Sequence, residues 1–426
     1  MELELRNINI KNIEFGSVTE IKNDVLYVHK EEIIDILMKD KKIKSVEVYL
    51  ARPGESVRII PVKDVIEPRA KLNGSAFPGI DGPIDEVGYG VTYVLKGCSV
   101  ITTGPIVGFQ EGIIDMSGPL TNYTPFAHIN NIVLKITKAD GVEPHEHEEV
   151  VRKSGIKIAH YLGKKALIYE KYESEIFTWD NIVRKVDVNP KLPKVVYVYL
   201  CMSQGLLHDT YFYGKDSKKI VPSLISPLEV MDGAIVSGNC VSPGSKTTTF
   251  HHENNAVIRE CFKRDGKEIN FIGVVLYPLM TTLDDKFRNS ALGSKIVELL
   301  GADGAVISQE GFGNPTSDLM MICKRLETKG IKTVLISNED AGVDGKSESL
   351  PDGVTNADAI VSTGNSNANI KIPPMDIVIG DINAIERVTG GFKGSIQEDG
   401  GLIIEIHGIL GSHNLQGYSY LSAVTV

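Results

Sequence analysis

The fold is decided by the stretch VVYVYL at residues 195–200, which is apolar on both faces of an extended chain. Similar short runs follow it: FIGVVL at 271–276, GAVIS at 304–308, TVLIS at 333–337, AIVS at 359–362 and IVIG at 377–380. Strands of this kind are typical of a parallel sheet that helices cover on both sides. Helical stretches at 289–300 and 317–329 separate some of the runs, and each is followed by a glycine. The pattern predicts a doubly wound, mostly parallel α/β domain.

The first part of the chain has a different pattern. The segment KSVEVYL at 44–50 alternates as a half-buried strand should, and VLK at 94–96 and VITT at 100–103 indicate further strands. Residues 147–162 have a helical pattern. The polar stretch DVNPKLP at 187–193 is the best linker. We therefore predict a β-rich α+β N-terminal domain at 1–188 and the doubly wound α/β domain at 189–426.

Composition excludes several classes of function. The chain has 426 residues, 42% of them hydrophobic, and a net charge of −10. The acidic balance argues against nucleic acid as a partner, because phosphate binding needs a basic face. No apolar stretch reaches the ~20 residues of a membrane span, and the N-terminus has no secretory signal pattern. Five scattered cysteines fit free thiols in a reducing compartment. We expect a cytoplasmic protein without a membrane or nucleic-acid partner.

The junction GNCV at 238–241 is the main candidate for chemistry. If the preceding run AIV at 234–236 is a strand, Cys240 lies just past its carboxyl end, where open α/β sheets bind ligands. The Cys240 thiol can attack the carbonyl of Asn239 and take over its acyl group. β-Elimination then expels the Asn239 acyl group with the sulfur as a thiocarboxylate and leaves a new chain that starts with dehydroalanine, which takes up water and releases ammonia to become a pyruvoyl group. The alternative is a cysteine that is buried and simply packs.

Other polar groups lie near predicted strand ends. His208 and Asp209 could act as a general base or be exposed turn residues. His251 and His252 follow the junction and could donate a proton or flank a helix start. Tyr211 belongs to an aromatic set that forms core or a pocket for a cationic amine.

Two further motifs are weaker. The segment GFGNPT at 311–316 begins like a dinucleotide-binding loop, but a tight turn from strand to helix is the better interpretation. The segment HEHEE at 145–149 has metal-ligand residue types, yet acidic residues also suit the first turn of a helix. We favour the helix start.

Several uninterrupted segments resemble a known family. They are LARPGESVRI at 50–59, VGFQEGIIDM at 107–116, GLLHDTY at 205–211, EVMDGAIVSGNC at 229–240 and EGFGNP at 310–315. They are similar to the component B proprotein of glycine, sarcosine and betaine reductases. The similarity runs over nearly the whole chain.

This resemblance implies a processed subunit of a hetero-oligomeric complex. The precursor would be cut between Asn239 and Cys240 into an α chain, 1–239, and a β chain, 240–426. Cys240 would become the cofactor, a pyruvoyl group. The implied partners are a selenocysteine-containing γ subunit, the selenoprotein component A and the acetyl-phosphate-forming component C. Glycine or sarcosine would condense with the carbonyl as a Schiff base before a selenolate displaces the amine, whereas the quaternary nitrogen of betaine cannot form an imine.

We therefore expect an oxidoreductase subunit that forms a pyruvoyl group, with the processing site inside the doubly wound domain. Asn239 and Cys240 are the processing pair. The candidates for proton transfer are His208, Asp209, His251 and His252, and those for binding or positioning the small amine substrate are Gly311, Gly313, Asn314 and Tyr211. Two alternatives stay open: the pyruvoyl subunit of a proline reductase, and a non-catalytic subunit that binds an amine or amino acid.

Overall fold

The computed structural model describes residues 1–204, 209–238 and 241–416. In the first half of the chain the strands are β1 (Glu2–Asn9), β2 (Asn12–Phe15), β3 (Glu20–Lys22), β4 (Val25–Val28), β5 (Ile43–Ala51), β6 (Val57–Ile66), β7 (Arg69–Lys71), β8 (Gly90–Lys96), β9 (Cys98–Thr103), β10 (Gly112–Asp115), β11 (Asn130–Lys138) and β12 (Glu173–Thr178). In the second half they are β13 (Lys194–Cys201), β14 (Tyr211–Phe212), β15 (Lys215–Asp216), β16 (Ser223–Ile225), β17 (Ile235–Val236), β18 (Asn270–Pro278), β19 (Gly304–Gln309), β20 (Lys332–Glu339), β21 (Ala359–Asn365), β22 (Asn369–Ile372), β23 (Ile377–Gly380) and β24 (Leu402–Glu405). The helices are α1 (Lys30–Leu37), α2 (Pro144–Lys164), α3 (Ile182–Val188), α4 (Pro227–Met231), α5 (Thr249–Glu253), α6 (Ala256–Arg264), α7 (Leu283–Leu299) and α8 (Asn314–Thr328).

A mostly parallel sheet of six strands organises the second half, as the apolar runs predict. Its order is β16-β18-β13-β19-β20-β21. Every neighbouring pair is parallel except β16 with β18, which is antiparallel. Strand β13 therefore lies inside the sheet with β18 on one side and β19 on the other, and its backbone groups have partners on both edges.

Both faces of this sheet are buried, which explains the continuous apolar run of β13. Alternate residues of a strand point to opposite faces. Val196, Val198 and Leu200 pack in a cluster with α7 and α8, whereas Tyr197, Tyr199 and Cys201 pack in another with α4, α6 and β1. The helices α7 and α8 confirm the two predicted from the sequence.

The first half contains two larger sheets. One has the order β12-β1-β8-β7, and the other has the order β10-β6-β9-β11-β5. Helix α2 contacts β6, β7 and β9 and so connects them. It begins with a capping box in which Glu143 and Glu146 satisfy each other's backbone N–H groups. The helix start predicted for 145–149 is confirmed.

One predicted strand pairs elsewhere. Strand β23, the run IVIG at 377–380, pairs in parallel with residues 57–60 of β6 in the first half. The expectation that it continues the parallel sheet of the second half is wrong. A four-residue β-branched run carries no information about which buried strand it will join, and here it continues the edge of β6 beyond the residues that β9 covers.

The rest of the architecture is small. Strands β2, β4 and β3 form one sheet, β22 and β24 form a pair, and β15, β14 and β17 form a third small sheet. In the ranges that the structure describes, the helices are too short or too polar to cross a membrane. The division into domains at residue 188 stays a prediction.

Candidate active site

The two residues of the predicted processing pair, Asn239 and Cys240, lie outside the described residues, and so does His208. The structure describes the chain on both sides of the pair. Gly238 approaches the backbone before β14 so closely that a Cβ on it would lie 2.7 Å from the Asp209 carbonyl oxygen and 2.8 Å from Tyr211 Cε2. A side chain therefore does not fit at position 238.

On the far side of the pair, Val241 is buried at the carboxyl end of the parallel sheet. It belongs to the same core cluster as Met202. A Cβ on Gly311 would lie 2.9 Å from Met202 Cε and 3.2 Å from Val241 Cγ1, and Gly311 has a φ of +78°. Glycine at 311 thus lets the loop after β19 pack against Val241.

The run that precedes the pair is a strand, but it belongs to another sheet. Strand β17 pairs antiparallel with β14 in the small sheet of β15, β14 and β17. The expectation that this run leads to the junction as part of the parallel sheet is wrong, because β17 spans two residues and its pairing depends on the distant β14. The contact with the parallel sheet is made by Val241 instead.

A small polar cavity opens beside Gly238. Strand β6, helix α2 and the chain on both sides of the junction line it. The polar residues at its wall are Lys63, Asp64, Thr102, Glu148, Arg152, Ser237 and Lys246.

Arg152 of α2 is the unusual member of this wall. The residue is buried and exposes only 6% of its surface. The guanidinium carbon lies 4.1 Å from the centre of the Tyr211 ring, and Nη1 lies 3.1 Å from the position that a Cβ of Gly238 would take. Within 1–204, 209–238 and 241–416, neither Nε nor Nη1 of Arg152 has a hydrogen-bond partner. The same holds for the buried Ser237 Oγ in that part of the chain.

Asp64 joins the two sides of the junction. Its carboxylate accepts hydrogen bonds from the Thr249 N–H at 3.0 Å and the Thr249 hydroxyl at 2.7 Å. The Ser237 N–H in turn donates to Thr249 Oγ1 at 3.1 Å. Burial raises the pKa of Asp64 to about 6, although the charge of Lys246 opposes the shift. The start of α5 is thereby connected to the residue before Gly238.

Lys63 is already neutralised by its neighbours. Its ammonium group contacts Glu111 and lies 2.6 Å from Glu148 Oε1. Burial opposes the charge, but the two carboxylates outweigh it and raise the pKa of Lys63 above its usual range. This cation is therefore committed to Glu111 and Glu148.

A second buried polar cluster lies at the end of β19, one residue before the loop that contacts Val241. Its centre is Glu310. Oε2 of Glu310 accepts from the Thr210 hydroxyl at 2.6 Å and the Met202 N–H at 2.5 Å, and Oε1 accepts from the Tyr199 hydroxyl at 3.2 Å. Burial raises the pKa of Glu310 to about 7. A carboxyl group with this pKa can take up or release a proton near neutral pH.

His252 is part of the Glu310 cluster. Its Nδ1 lies 2.6 Å from the Tyr199 hydroxyl and its Nε2 lies 3.2 Å from Glu310 Oε1. Burial lowers the pKa of His252 well below its usual value, so the ring is neutral at physiological pH. His251 has a different place, since its Nδ1 accepts from the Thr248 N–H at 3.2 Å in the capping box of α5.

The structure places some of the remaining candidate residues near the junction and others away from it. Asp209 is buried and pairs with Lys218 Nζ at 2.9 Å, and Tyr211 stacks with Arg152. Gly313 precedes α8 with a φ of +88° and nothing within 4 Å of its Cβ position. Asn314 is exposed, and its carbonyl accepts from Lys286 of α7 at 3.2 Å. Asp209, Tyr211 and Gly311 thus lie near the junction, whereas Asn314 faces α7.

Three residues of these clusters are missing from the candidates named from the sequence: Glu310, Arg152 and Asp64. A polar signal existed for Glu310, which directly follows an apolar strand and precedes a glycine-rich loop. Arg152 and Asp64 carry no such signal, because a single charged residue in a helix or strand is usually a surface residue.

Comparison with known proteins identifies the family. The family model of glycine/sarcosine/betaine reductase component B subunits matches residues 1–424. The chain belongs to this family. Component B subunits alpha and beta of the glycine reductase complex of Peptoclostridium acidaminophilum are 50% identical over 425 residues, 99% of each chain.

Component B subunits of other substrate classes are also similar. The alpha subunit from the sarcosine reductase complex of Peptoclostridium acidaminophilum is 49% identical over 425 residues, 99% of each chain. The one from its betaine reductase complex is 37% identical over 435 residues, 98% of each chain. No solved structure matches the chain. This component B subunit is therefore part of an oxidoreductase complex and has partner subunits.

Proposed function

We propose that the chain is a proprotein that cleaves itself between Asn239 and Cys240 and converts Cys240 to a pyruvoyl group. The product is the substrate-binding subunit pair of a reductase that breaks the C–N bond of a small amino acid. The observation that carries the proposal is that two buried polar clusters, one around Glu310 and one around Arg152, border the chain on either side of this pair. The self-cleavage chemistry proposed for the pair is the one that the resemblance to this family implies.

The surroundings of the junction fit a pyruvoyl group. Gly238 and Val241 are held by close contacts on both sides, and the cavity beside Gly238 contains buried hydrogen-bonding groups that could face a small polar ligand. A pyruvoyl group supplies a ketone, which is an electrophile for amines that keep a lone pair on nitrogen. On the described chain, Arg152 and Tyr211 lie close to Gly238, and Ser237 lines the same cavity, whereas Met202 shares a core cluster with Val241.

We assign proton transfer to the Glu310 cluster. Tyr199, Thr210 and the Met202 N–H hold the Glu310 carboxyl in place, and its pKa of about 7 allows both protonation states near neutral pH. Asp64 has the positioning role, since it fixes Thr249 and, through it, Ser237.

We propose glycine or sarcosine as the substrate rather than betaine. Identity to the glycine and sarcosine reductase relatives is 50% and 49%, against 37% for the betaine reductase relative. The proposed partners are a selenocysteine-containing subunit of component B, the selenoprotein component A and the acetyl-phosphate-forming component C.

Replacement of the nucleophile tests the proposal. Protein from the native host should contain two chains, 1–239 and 240–426, and the shorter should react with hydroxylamine through its ketone. Cys240→Ala should give a single chain and no C–N cleavage, because the thiol that attacks the Asn239 carbonyl is gone. Intact mass spectrometry measures chain cleavage. An amine-release assay of the reconstituted complex with glycine, sarcosine and betaine measures C–N cleavage.

Cys261→Ala is the matched control, because Cys261 is a buried cysteine on the adjoining helix α6. It should be cleaved like the wild type. A native-host protein that is a single chain with an intact thiol at 240 would contradict the proposal, and so would cleavage of Cys240→Ala.

A further inference from the structure

We propose that Arg152 binds the carboxylate of the substrate, with Ser237 Oγ as a second donor. This inference rests on the proposed function for the kind of substrate, a small amino acid, but the binding site itself is defined by the geometry of the cavity. The substrate class that follows is an amine that also carries a carboxylate one carbon away.

The first argument is the unmet hydrogen bonding of a buried cation. Removing a guanidinium from water is costly unless hydrogen bonds and an opposite charge replace the water. In the described ranges, Nε and Nη1 of Arg152 have no hydrogen-bond partner. A carboxylate supplies both the opposite charge and the acceptor oxygen for a charge-assisted hydrogen bond from such an N–H group.

The second argument is orientation. The Arg152 guanidinium lies over the face of the Tyr211 ring, with its central carbon 4.1 Å from the ring centre. A cation–π contact of this kind uses no N–H hydrogen bond, so it leaves the donors of the guanidinium to other partners. Both Arg152 and Ser237 line the same cavity, and Ser237 Oγ lacks a partner within the described chain. Two oxygens of one carboxylate could therefore be met by donors from both residues.

The third argument is that Arg152 differs from two other charged residues of the cavity wall, whose charged groups already have partners. Lys63 is committed to Glu111 and Glu148, and Asp64 is committed to Thr249. Arg152 has no such ion pair or hydrogen bond at Nε and Nη1 within the residues the structure covers. An incoming anion thus meets Arg152 without having to displace an internal carboxylate.

The position of Arg152 suits a short substrate. Its Nη1 lies 3.1 Å from where a Cβ of Gly238 would be, and Gly238 directly precedes Asn239. A carboxylate held there keeps the amine of an α-amino acid, which is one carbon away, close to Gly238. Amines without a carboxylate would lose this anchor.

Acetate is the probe for the site, because it has the carboxylate and lacks the amine. In saturation-transfer NMR with the purified component B complex, we expect acetate binding to the wild type and its loss in Arg152→Met. In the reconstituted complex, Arg152→Met should raise the KM for glycine by about 10- to 100-fold, the range for a charge-assisted hydrogen bond. Glycinamide has no carboxylate, so its KM should exceed that of glycine with the wild type. The two KM values should be similar with Arg152→Met.

Two further variants make the test specific. Lys153→Met removes an exposed cation from the next position of α2 and should change neither acetate binding nor KM. Arg152→Lys keeps the charge without the planar guanidinium and should give an intermediate KM. It also covers the case in which Arg152→Met does not fold.

The outcomes separate this inference from the proposed function. Chain cleavage, read by mass spectrometry, should be normal in Arg152→Met and Arg152→Lys, so a wild type that does not cleave overturns the proposed function alone. Absence of acetate binding to the wild type overturns the role of Arg152. Acetate binding and a glycine KM equal to those of the wild type in Arg152→Met would overturn it as well.

Discussion

At the scale of the residue, Glu310 shows what burial does to a carboxyl group. It has no exposed surface, and three hydrogen bonds from Tyr199, Thr210 and the Met202 N–H do not fully replace water. Loss of hydration disfavours the charged form, which raises the pKa to about 7 from the ordinary 4.5. The native protein therefore keeps a proton between these two pH values that the unfolded chain has released.

This difference predicts a pH-dependent stability. Because the native state binds the extra proton, the free energy of unfolding of the wild type should fall as the pH rises from 4.5 towards 7. Glu310→Gln cannot titrate, so its stability relative to the wild type should rise by about 3 kcal/mol over this range. Calorimetric unfolding at pH 5 and pH 8 measures the change.

Glu398→Gln is the control, since Glu398 is exposed. Its stability relative to the wild type should be nearly constant between the two pH values. If Glu310→Gln behaves in the same way, Glu310 titrates as an ordinary glutamate and the proton-transfer role assigned to it loses its basis.

The sequence predicted the junction and three residues that lie near it, Asp209, Tyr211 and Gly311. It did not predict the charged groups around them. Arg152 illustrates the reason. An arginine among the polar residues of a helix reads as a solvent-exposed cation, and its burial follows from Tyr211, which lies 59 positions away along the chain. Such a contact is a product of tertiary packing and leaves no local pattern.

At the scale of the element, helix α2 positions Arg152 and Glu148 by lying unusually close to the strands beneath it. Two glycines make this possible. A Cβ on Gly163 would lie 2.3 Å from the carbonyl group of Arg69 in β7, and a Cβ on Gly155 would lie 2.6 Å from Ile66 Cδ1. The first contact is with backbone, which cannot move aside as a side chain can.

Gly163→Ala should therefore displace the helix. We expect a loss of about 3 kcal/mol in unfolding free energy, the upper end for an overpacked site, and a weaker affinity for acetate because Arg152 moves with α2. Urea denaturation followed by circular dichroism measures the first effect. Lys157→Ala, on the exposed side of the same helix, should change the unfolding free energy by less than about 0.5 kcal/mol. Equal stability of Gly163→Ala and Lys157→Ala would show that a methyl group fits between α2 and β7.

Elements were predictable where the pattern was long or the burial was two-sided. Strand β13 and helices α2, α7 and α8 follow directly from their periodicity. The short runs were ambiguous. Strands β17 and β23 have two and four residues, and their partners β14 and β6 were decided by contacts that the runs themselves do not encode.

At the scale of the whole molecule, the two proposed chains are interleaved. Strands β13 and β16 come from residues before 239, yet they lie in one sheet with β18, β19, β20 and β21 from residues after 240. Strand β23 makes the reverse exchange, since it pairs with β6 in the first half. Neither chain could leave without breaking a sheet.

The cleaved protein should consequently behave as one particle. Chains 1–239 and 240–426 should coelute in native gel filtration and should separate in denaturant, because the hydrogen bonds of β13 and β23 and the cores around them hold the chains together. Uncleaved Cys240→Ala should elute at the same volume. Separation of the two chains in native buffer would mean that these strand pairings are not the main connection.

The pairing of β23 with β6 also sets an order of events during biosynthesis. Strand β6 is made early, and the four residues that complete its edge leave the ribosome more than 300 positions later. At about 5–20 residues per second, this part of β6 waits tens of seconds for its partner. The first sheet is thus finished only when most of the chain exists. A junction that reacts only in the finished fold would keep its thiol in every truncated or misfolded copy, so cleavage would mark the molecules that were completed correctly.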